Sequence, residues 1–139
     1  MSRLITALLL STGLMMVGSA GAQTTSPQAS QRQAMKAEME KVDATYKAAK
    51  ERCDSLKGNA EDVCEAEAKA QRDIAKADLE ASNRNTADAR RDASRKKAEA
   101  EYDVAKERCD DLAGNVKDVC VKDAKAALER AKASAKSMS

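Results

Sequence analysis

The chain has 139 residues, of which 35% are charged and only 1% are aromatic, and its formal net charge at pH 7 is +2. This near balance of charge argues against a nucleic-acid-binding protein, because such proteins carry a strongly basic face or tail. The absence of histidine, tryptophan and phenylalanine argues against a histidine metal centre and against a catalytic pocket with aromatic walls. We therefore expect a small non-catalytic protein with no cofactor.

Residues 1–22 have the three parts of a secretory signal peptide. Arg3 supplies the positive start, a short apolar run follows it, and Ala20-Gly21-Ala22 forms a cleavage site. The alternative is a membrane anchor, but the run is shorter than the roughly 20 apolar residues that cross a bilayer. We expect export to the periplasm, with no transmembrane anchor after cleavage.

A flexible leader is predicted over residues 23–34. This stretch is rich in threonine, serine and glutamine and contains Pro27, the only proline of the chain. Such a composition is typical of a segment that leads into structure without packing itself.

An internal repeat with a period of 56 residues organises the rest of the chain. Residues 46–64, YKAAKERCDSLKGNAEDVC, return as residues 102–120, YDVAKERCDDLAGNVKDVC. In the first copy an apolar helical face runs to Leu56, Gly58 stops that helix and Asn59 is placed to cap the next one. The second copy repeats these signals, with Gly114 and Asn115. A connection this short predicts two antiparallel, adjacent helices.

All four cysteines lie in the two copies of the repeat. An even cysteine count in an exported protein indicates disulfides, and here each cysteine lies about one turn from the predicted bend. A metal clip, a redox-active pair and other pairings are the alternatives, although zinc sites favour closer cysteine spacings. We predict structural bridges from Cys53 to Cys64 and from Cys109 to Cys120.

Apolar residues recur at alternating spacings of four and three, which is typical of a coiled-coil face. In the first predicted helix this heptad face comprises Met35, Met39, Val42, Tyr46, Ala49, Cys53 and Leu56. In the second it comprises positions 60, 63, 67, 70, 74, 77 and 81. The pattern predicts one helical hairpin over 35–82 and a second over 98–139, whose last helix runs from Val116 to about Ser137.

Two architectures compete for the middle of the chain. No proline or glycine interrupts residues 59–113, so a single helix about 80 Å long would join the hairpins, with 83–97 as a polar basic bridge. The alternative is a four-helix arrangement hinged near Asn83, where helix propensity is lowest. We favour the first, an elongated all-α protein in which two disulfide-stapled antiparallel hairpins are joined by a long central helix.

Catalysis would require paired carboxylates in a pocket. The candidate carboxylates lie near the predicted turns, where aspartate is explained by the helix dipole and where at most weak, nonspecific divalent-cation binding is expected. They are Asp54, Glu61, Asp62, Asp110, Asp111 and Asp118. We therefore predict no enzyme activity.

A cluster of positive charge, which we call the basic band, occupies the predicted bridge. Its six cations are accompanied by only two acids, Asp88 and Asp92. The band either binds an anionic envelope polymer or lipid headgroups, or it is simply the solvated surface of a helix. The candidate anion-binding residues are Arg84, Arg90, Arg91, Arg95, Lys96 and Lys97.

The repeated pattern Y-x2-AKERCD-x-L-x-GN-x2-DVC resembles a family of small exported proteins of Gram-negative bacteria with Ala/Lys/Glu-rich helices. Members of this family often carry the label cell envelope biogenesis protein TolA. The resemblance covers residues 35–136. It implies periplasmic residence and a role in the envelope, and it assigns no functional residue.

These observations together predict a non-catalytic structural or interaction protein of the cell envelope. Its expected partners are envelope polymers, periplasmic proteins or a second copy of itself. A periplasmic holdase or stress protein, which would hold unfolded clients against amphipathic helices, is the alternative.

Overall fold

The computed structural model describes residues 26–138. Within that range the chain forms four α-helices and no strand: α1 (Pro27–Cys53), α2 (Asn59–Arg84), α3 (Ala87–Cys109) and α4 (Gly114–Lys136). The all-α class and the two disulfide-stapled hairpins are confirmed. The predicted signal peptide and residues 23–25 of the leader lie outside the described residues.

The four helices form a row in which α1 packs on α2, α2 on α3, and α3 on α4. Within residues 26–138 no other pair of helices is in contact. All three connections are short, so neighbouring helices run antiparallel. The turns at 54–58 and 110–113 therefore lie at one end of the row, which we call the disulfide end, and the turn at 85–86 lies at the other.

The prediction of a long central helix is wrong, because the chain turns back between Arg84 and Ala87. Asn85 adopts the left-handed conformation (φ 46°), and its N–H donates to the carbonyl of Ala81 at 2.8 Å. Asparagine enters this region more readily than most residues with a β-carbon. The hydroxyl of Thr86 then caps α3 by accepting from the N–H of Ala89 at 3.1 Å. The four-helix alternative is the observed one, with its turn two residues after Asn83.

Burial of alanine side chains between α2 and α3 explains why the chain folds back. One cluster between α2 and α3 consists of Ala77, Ala81, Ala89 and Ala93. A second comprises Ala70, Ala100 and Val104, with Ala66 and Ile74 packed against it. Four of these α2 positions belong to the heptad face predicted to meet α1 (Ala70, Ile74, Ala77 and Ala81). They pack on α3 instead, so the partner assigned to that face was wrong.

The opposite side of α2 packs on α1. Val42, Tyr46 and Ala49 of α1 lie across a groove from a second α2 surface that includes Ala68 and Arg72. The guanidinium of Arg72 lies 4.3 Å from the ring centroid of Tyr46, within cation–π range. Its hydrogen bond to Asp73 raises the pKa of Arg72 above its ordinary value, so the cation stays charged.

Ion pairs join neighbouring helices along the row. Lys50 pairs with Glu65 at 2.9 Å between α1 and α2, and this hydrogen-bonded contact raises the pKa of Lys50. The other interhelical pairs are Asp43–Lys76 in the same hairpin, then Glu67–Arg108, Lys69–Asp103 and Glu80–Lys96 between α2 and α3, and Glu99–Lys132 between α3 and α4.

Both predicted disulfides are present, with Cα–Cα distances of 5.6 Å for Cys53–Cys64 and 5.7 Å for Cys109–Cys120. Cys53 and Cys109 are fully buried. The helices before each turn end at these cysteines, so the predicted extension of the apolar face to Leu56 is wrong. These bonds cross-link the ends of the two hairpins.

The turn chemistry also differs from the prediction. Gly58 has a positive φ of 60°, and its carbonyl accepts from the N–H groups of Glu61 and Asp62. It occupies the N-cap position of α2, while Asn59 is the first helical residue and does not cap.

The first helix, α1, begins at Pro27 with Ser26 as its cap. Residues 27–34 are therefore helical and do not form the flexible leader predicted there.

Removal of either disulfide is expected to lower the free energy of unfolding by about 3 kcal/mol, because each bond closes a loop and so lowers the conformational entropy of the unfolded chain. Cys53→Ser/Cys64→Ser and Cys109→Ser/Cys120→Ser would be compared by denaturant titration followed by circular dichroism. The oxidised wild type with and without dithiothreitol is the control. A helical melt that is indifferent to reduction would show that the bonds do not stabilise the fold.

Asn85→Ala is expected to destabilise the protein by about 1 kcal/mol, since alanine enters the left-handed region at a cost that glycine does not meet. Asn85→Gly is the matched control and should leave stability nearly unchanged. Equal losses in both variants would mean that the asparagine side chain, rather than the backbone conformation, matters at this turn.

Candidate anion-binding groove

The fold separates the six residues of the basic band. Arg91 and Arg95 line a groove between α3 and α4. Arg90 lies on the other side of α3, where it lines a shallow depression with Asn85. Lys96 pairs with Glu80 of α2, Lys97 lies 3.9 Å from Glu101 one turn along α3, and Arg84 is the exposed last residue of α2. The predicted set is therefore not one site.

Two lysines of α4 complete the groove. Lys132 and Lys136 face Arg91 and Arg95 across a space of about 500 Å³ whose apolar lining comes from Ala133 and Ala135. In both helices the cations are four residues apart, so each pair lies on one helical face, one turn apart. We call this arrangement the α3–α4 groove.

Three carboxylates, those of Asp88, Asp92 and Glu129, line the groove beside the four cations. Arg91 is paired with Asp88 and also donates to the carbonyl of Met138 at 2.9 Å, and Arg95 is 3.1 Å from Asp92. Lys132 is 3.2 Å from Glu99. Within residues 26–138, Lys136 has no carboxylate within 4.0 Å, the limit for a salt bridge. These pairs are at least partly exposed, and exposed pairs contribute about 1 kcal/mol or less, so an incoming anion can compete for the cations.

Lys132 and Lys136 were not predicted from the sequence. They lie outside the basic band, and only the packing of α4 against α3 brings them beside Arg91 and Arg95. One signal in the sequence could have identified them. Lys132 and Lys136 are four residues apart, as are Arg91 and Arg95, and the repeat predicts that their two helices are antiparallel neighbours.

The disulfide end carries a different surface. Leu56 and Leu112 are each 38% exposed in the two turns, and Val116 and Val119 of α4 are 63% and 47% exposed. Leu56 and Leu112 occupy the same position in the two repeats. We call these four residues the apolar end.

The predicted carboxylate candidates do not form a site within residues 26–138. Five of the six are exposed at the turns, and Asp110 pairs with Lys117 at 2.9 Å. Within this part of the chain, no three side chains of the metal-ligating types come together as ligands. None of the helices described has both the length and the apolar composition that crossing a bilayer requires.

The chain matches no family model, no curated protein and no solved structure. The family resemblance drawn from the repeated cysteine pattern therefore stays a prediction.

Proposed function

We propose that this protein is a non-catalytic, periplasmic interaction protein of the cell envelope that binds an anionic envelope polymer in the α3–α4 groove. The convergence of Arg91 and Arg95 with Lys132 and Lys136 carries this proposal. The secretory pattern of residues 1–22 and the two disulfides support export to an oxidising compartment.

The chemistry of the groove suits a chain of phosphate or carboxylate groups. Guanidinium groups present a planar fork to such anions, and the two lysines add mobile point charges on the opposite wall. The groove is open and its walls are two helices, so an extended ligand can lie along it. Ala133 and Ala135 are part of the groove lining and leave its space open.

The proposal is tested by cosedimentation of the oxidised protein with isolated peptidoglycan and with lipopolysaccharide vesicles at low and high salt. We expect binding at low salt that weakens as salt rises, because ions screen exposed charges. The triple variant Arg91→Gln/Arg95→Gln/Lys132→Gln should bind roughly tenfold more weakly, since it loses three exposed charge contacts.

The matched control is Arg84→Gln/Arg90→Gln/Lys97→Gln, which removes the same charge outside the groove. This variant should bind nearly as well as the wild type. Equal losses in both variants would show that diffuse charge, and not the groove, attracts the polymer. No binding to either material would overturn the proposal.

A second function, holding unfolded clients, is favoured by the apolar end. Exposed aliphatic side chains at the two turns of the disulfide end offer surfaces to which unfolded segments can adhere. Val116→Thr/Val119→Thr, which keeps side-chain shape but adds hydroxyl groups, should reduce suppression of client aggregation measured by light scattering. The triple groove variant is the control and should protect as well as the wild type. Inactivity of the wild-type protein in this assay would contradict the second function.

A further inference from the structure

The row of helices has two outer faces that resemble its own inner interface. Because the repeat period is 56 residues, α4 corresponds to α2 and α1 corresponds to α3. Inside the molecule α2 packs on α3, but α4 and α1 each contact only one neighbour. The sides of α4 and α1 that correspond to the inner interface therefore have no partner within residues 26–138.

Small residues persist on both outer faces. Ala126 and Ala133 of α4 occupy the positions of Ala70 and Ala77, which are buried in the inner interface. On α1, Ala37, Ala44 and Ala48 occupy the positions of Ala93, Ala100 and Val104. All five outer residues are exposed, whereas all five of their inner equivalents are buried.

The outer faces differ in size from their inner equivalents. Lys122 and Arg130 of α4 stand where α2 has Ala66 and Ile74, and Ala48 of α1 stands where α3 has Val104. The face of α4 is thus larger than the inner one, whereas on α1 Gln33 in place of Ala89 adds bulk and Ala48 in place of Val104 removes it. The aliphatic stems of lysine and arginine can lie across an alanine surface while their charged ends stay in water.

Charge can be compared pair by pair. The inner pair Glu67–Arg108 corresponds to Asp123 opposite Arg52 of another copy, which keeps the same signs. The inner pair Glu80–Lys96 corresponds to Lys136 opposite Glu40, which is reversed but still complementary. The third inner pair, Lys69–Asp103, corresponds to Lys125 opposite Lys47, which is repulsive. Two of the three contacts are therefore favourable.

We propose that α4 of one molecule docks on α1 of a second copy in the manner in which α2 docks on α3. The contact joins two different faces, so it is head-to-tail and extends the row into an open array. It goes beyond the proposed function because it uses the outer faces of α4 and α1. Ala133 and Lys136, on the rim of the α3–α4 groove, are the only groove residues involved.

Sedimentation velocity of the oxidised chain from residue 23 onward, over a series of concentrations, tests the association. We expect an average mass that rises above the monomer with concentration. Ala44→Arg on α1 and Ala126→Arg on α4 each block one face and should hold the protein at the monomer mass. Ala60→Arg, an exposed alanine of α2 outside both faces, is the matched control and should associate like the wild type. Circular dichroism establishes that each variant is folded.

Mixing the two blocked variants distinguishes a head-to-tail contact from a symmetric one. Ala44→Arg protein retains its α4 face and Ala126→Arg protein retains its α1 face, so an equimolar mixture should form dimers and stop there. Lys125→Glu replaces the repulsive pair with an attractive one and should move association to a roughly threefold lower concentration. A wild type that is monomeric at every concentration, or a mixture that stays monomeric, would overturn the proposal. Neither result tests polymer binding, because Ala44 and Ala126 do not line the α3–α4 groove.

Discussion

Alanine packed against alanine between α2 and α3 is the contact on which the rest of this structure depends. All but three of the buried residues described are alanines, the others being Val104, Cys53 and Cys109. A buried methyl group contributes only about 0.8 kcal/mol, so an interface of this kind needs many of them along long helices. In return, alanine lets two backbones approach closely and does not weaken either helix. A straight central helix would leave these alanines in water, and the fold-back at Asn85 removes that cost.

The disulfides act where the alanine contacts cannot. Near the turns at 54–58 and 110–113 the larger aliphatic residues are exposed, and the covalent bond holds each helix pair together there. At the opposite end of the row, the left-handed Asn85 and the Thr86 cap act within the turn, and Arg91 donates a hydrogen bond to the carbonyl of Met138 at the end of the described chain. Covalent and capping interactions thus secure the two ends, while alanine packs the length between them.

Features that follow from the repeat were predicted correctly, whereas features that depend on the packing of helices against one another were not. Cysteine spacing and a short turn were sufficient for both disulfides and both hairpins. The heptad count assigned Ala70, Ile74, Ala77 and Ala81 to the wrong partner, because the spacing of small residues does not specify which neighbouring helix they meet. Low helix propensity marked Asn83, two residues before the turn, only in the alternative that we did not favour, because propensity is a weak guide beside an uninterrupted pattern. Of the four cations that line the groove, the sequence singled out Arg91 and Arg95, whereas Lys132 and Lys136 join them only through the tertiary fold.

Comparison of the two repeats supports the role proposed for the α3–α4 groove. Arg91 and Arg95 occupy the repeat positions of Met35 and Met39, and Lys132 occupies that of Lys76. In the first hairpin the two methionines are half-buried on the face that α1 turns towards α2. Methionine therefore meets the packing requirement of this position, and packing alone gives no reason for arginine. The second repeat places two guanidinium groups on the same scaffold, next to lysines from the neighbouring helix. This difference supports the proposal that the second hairpin binds anions.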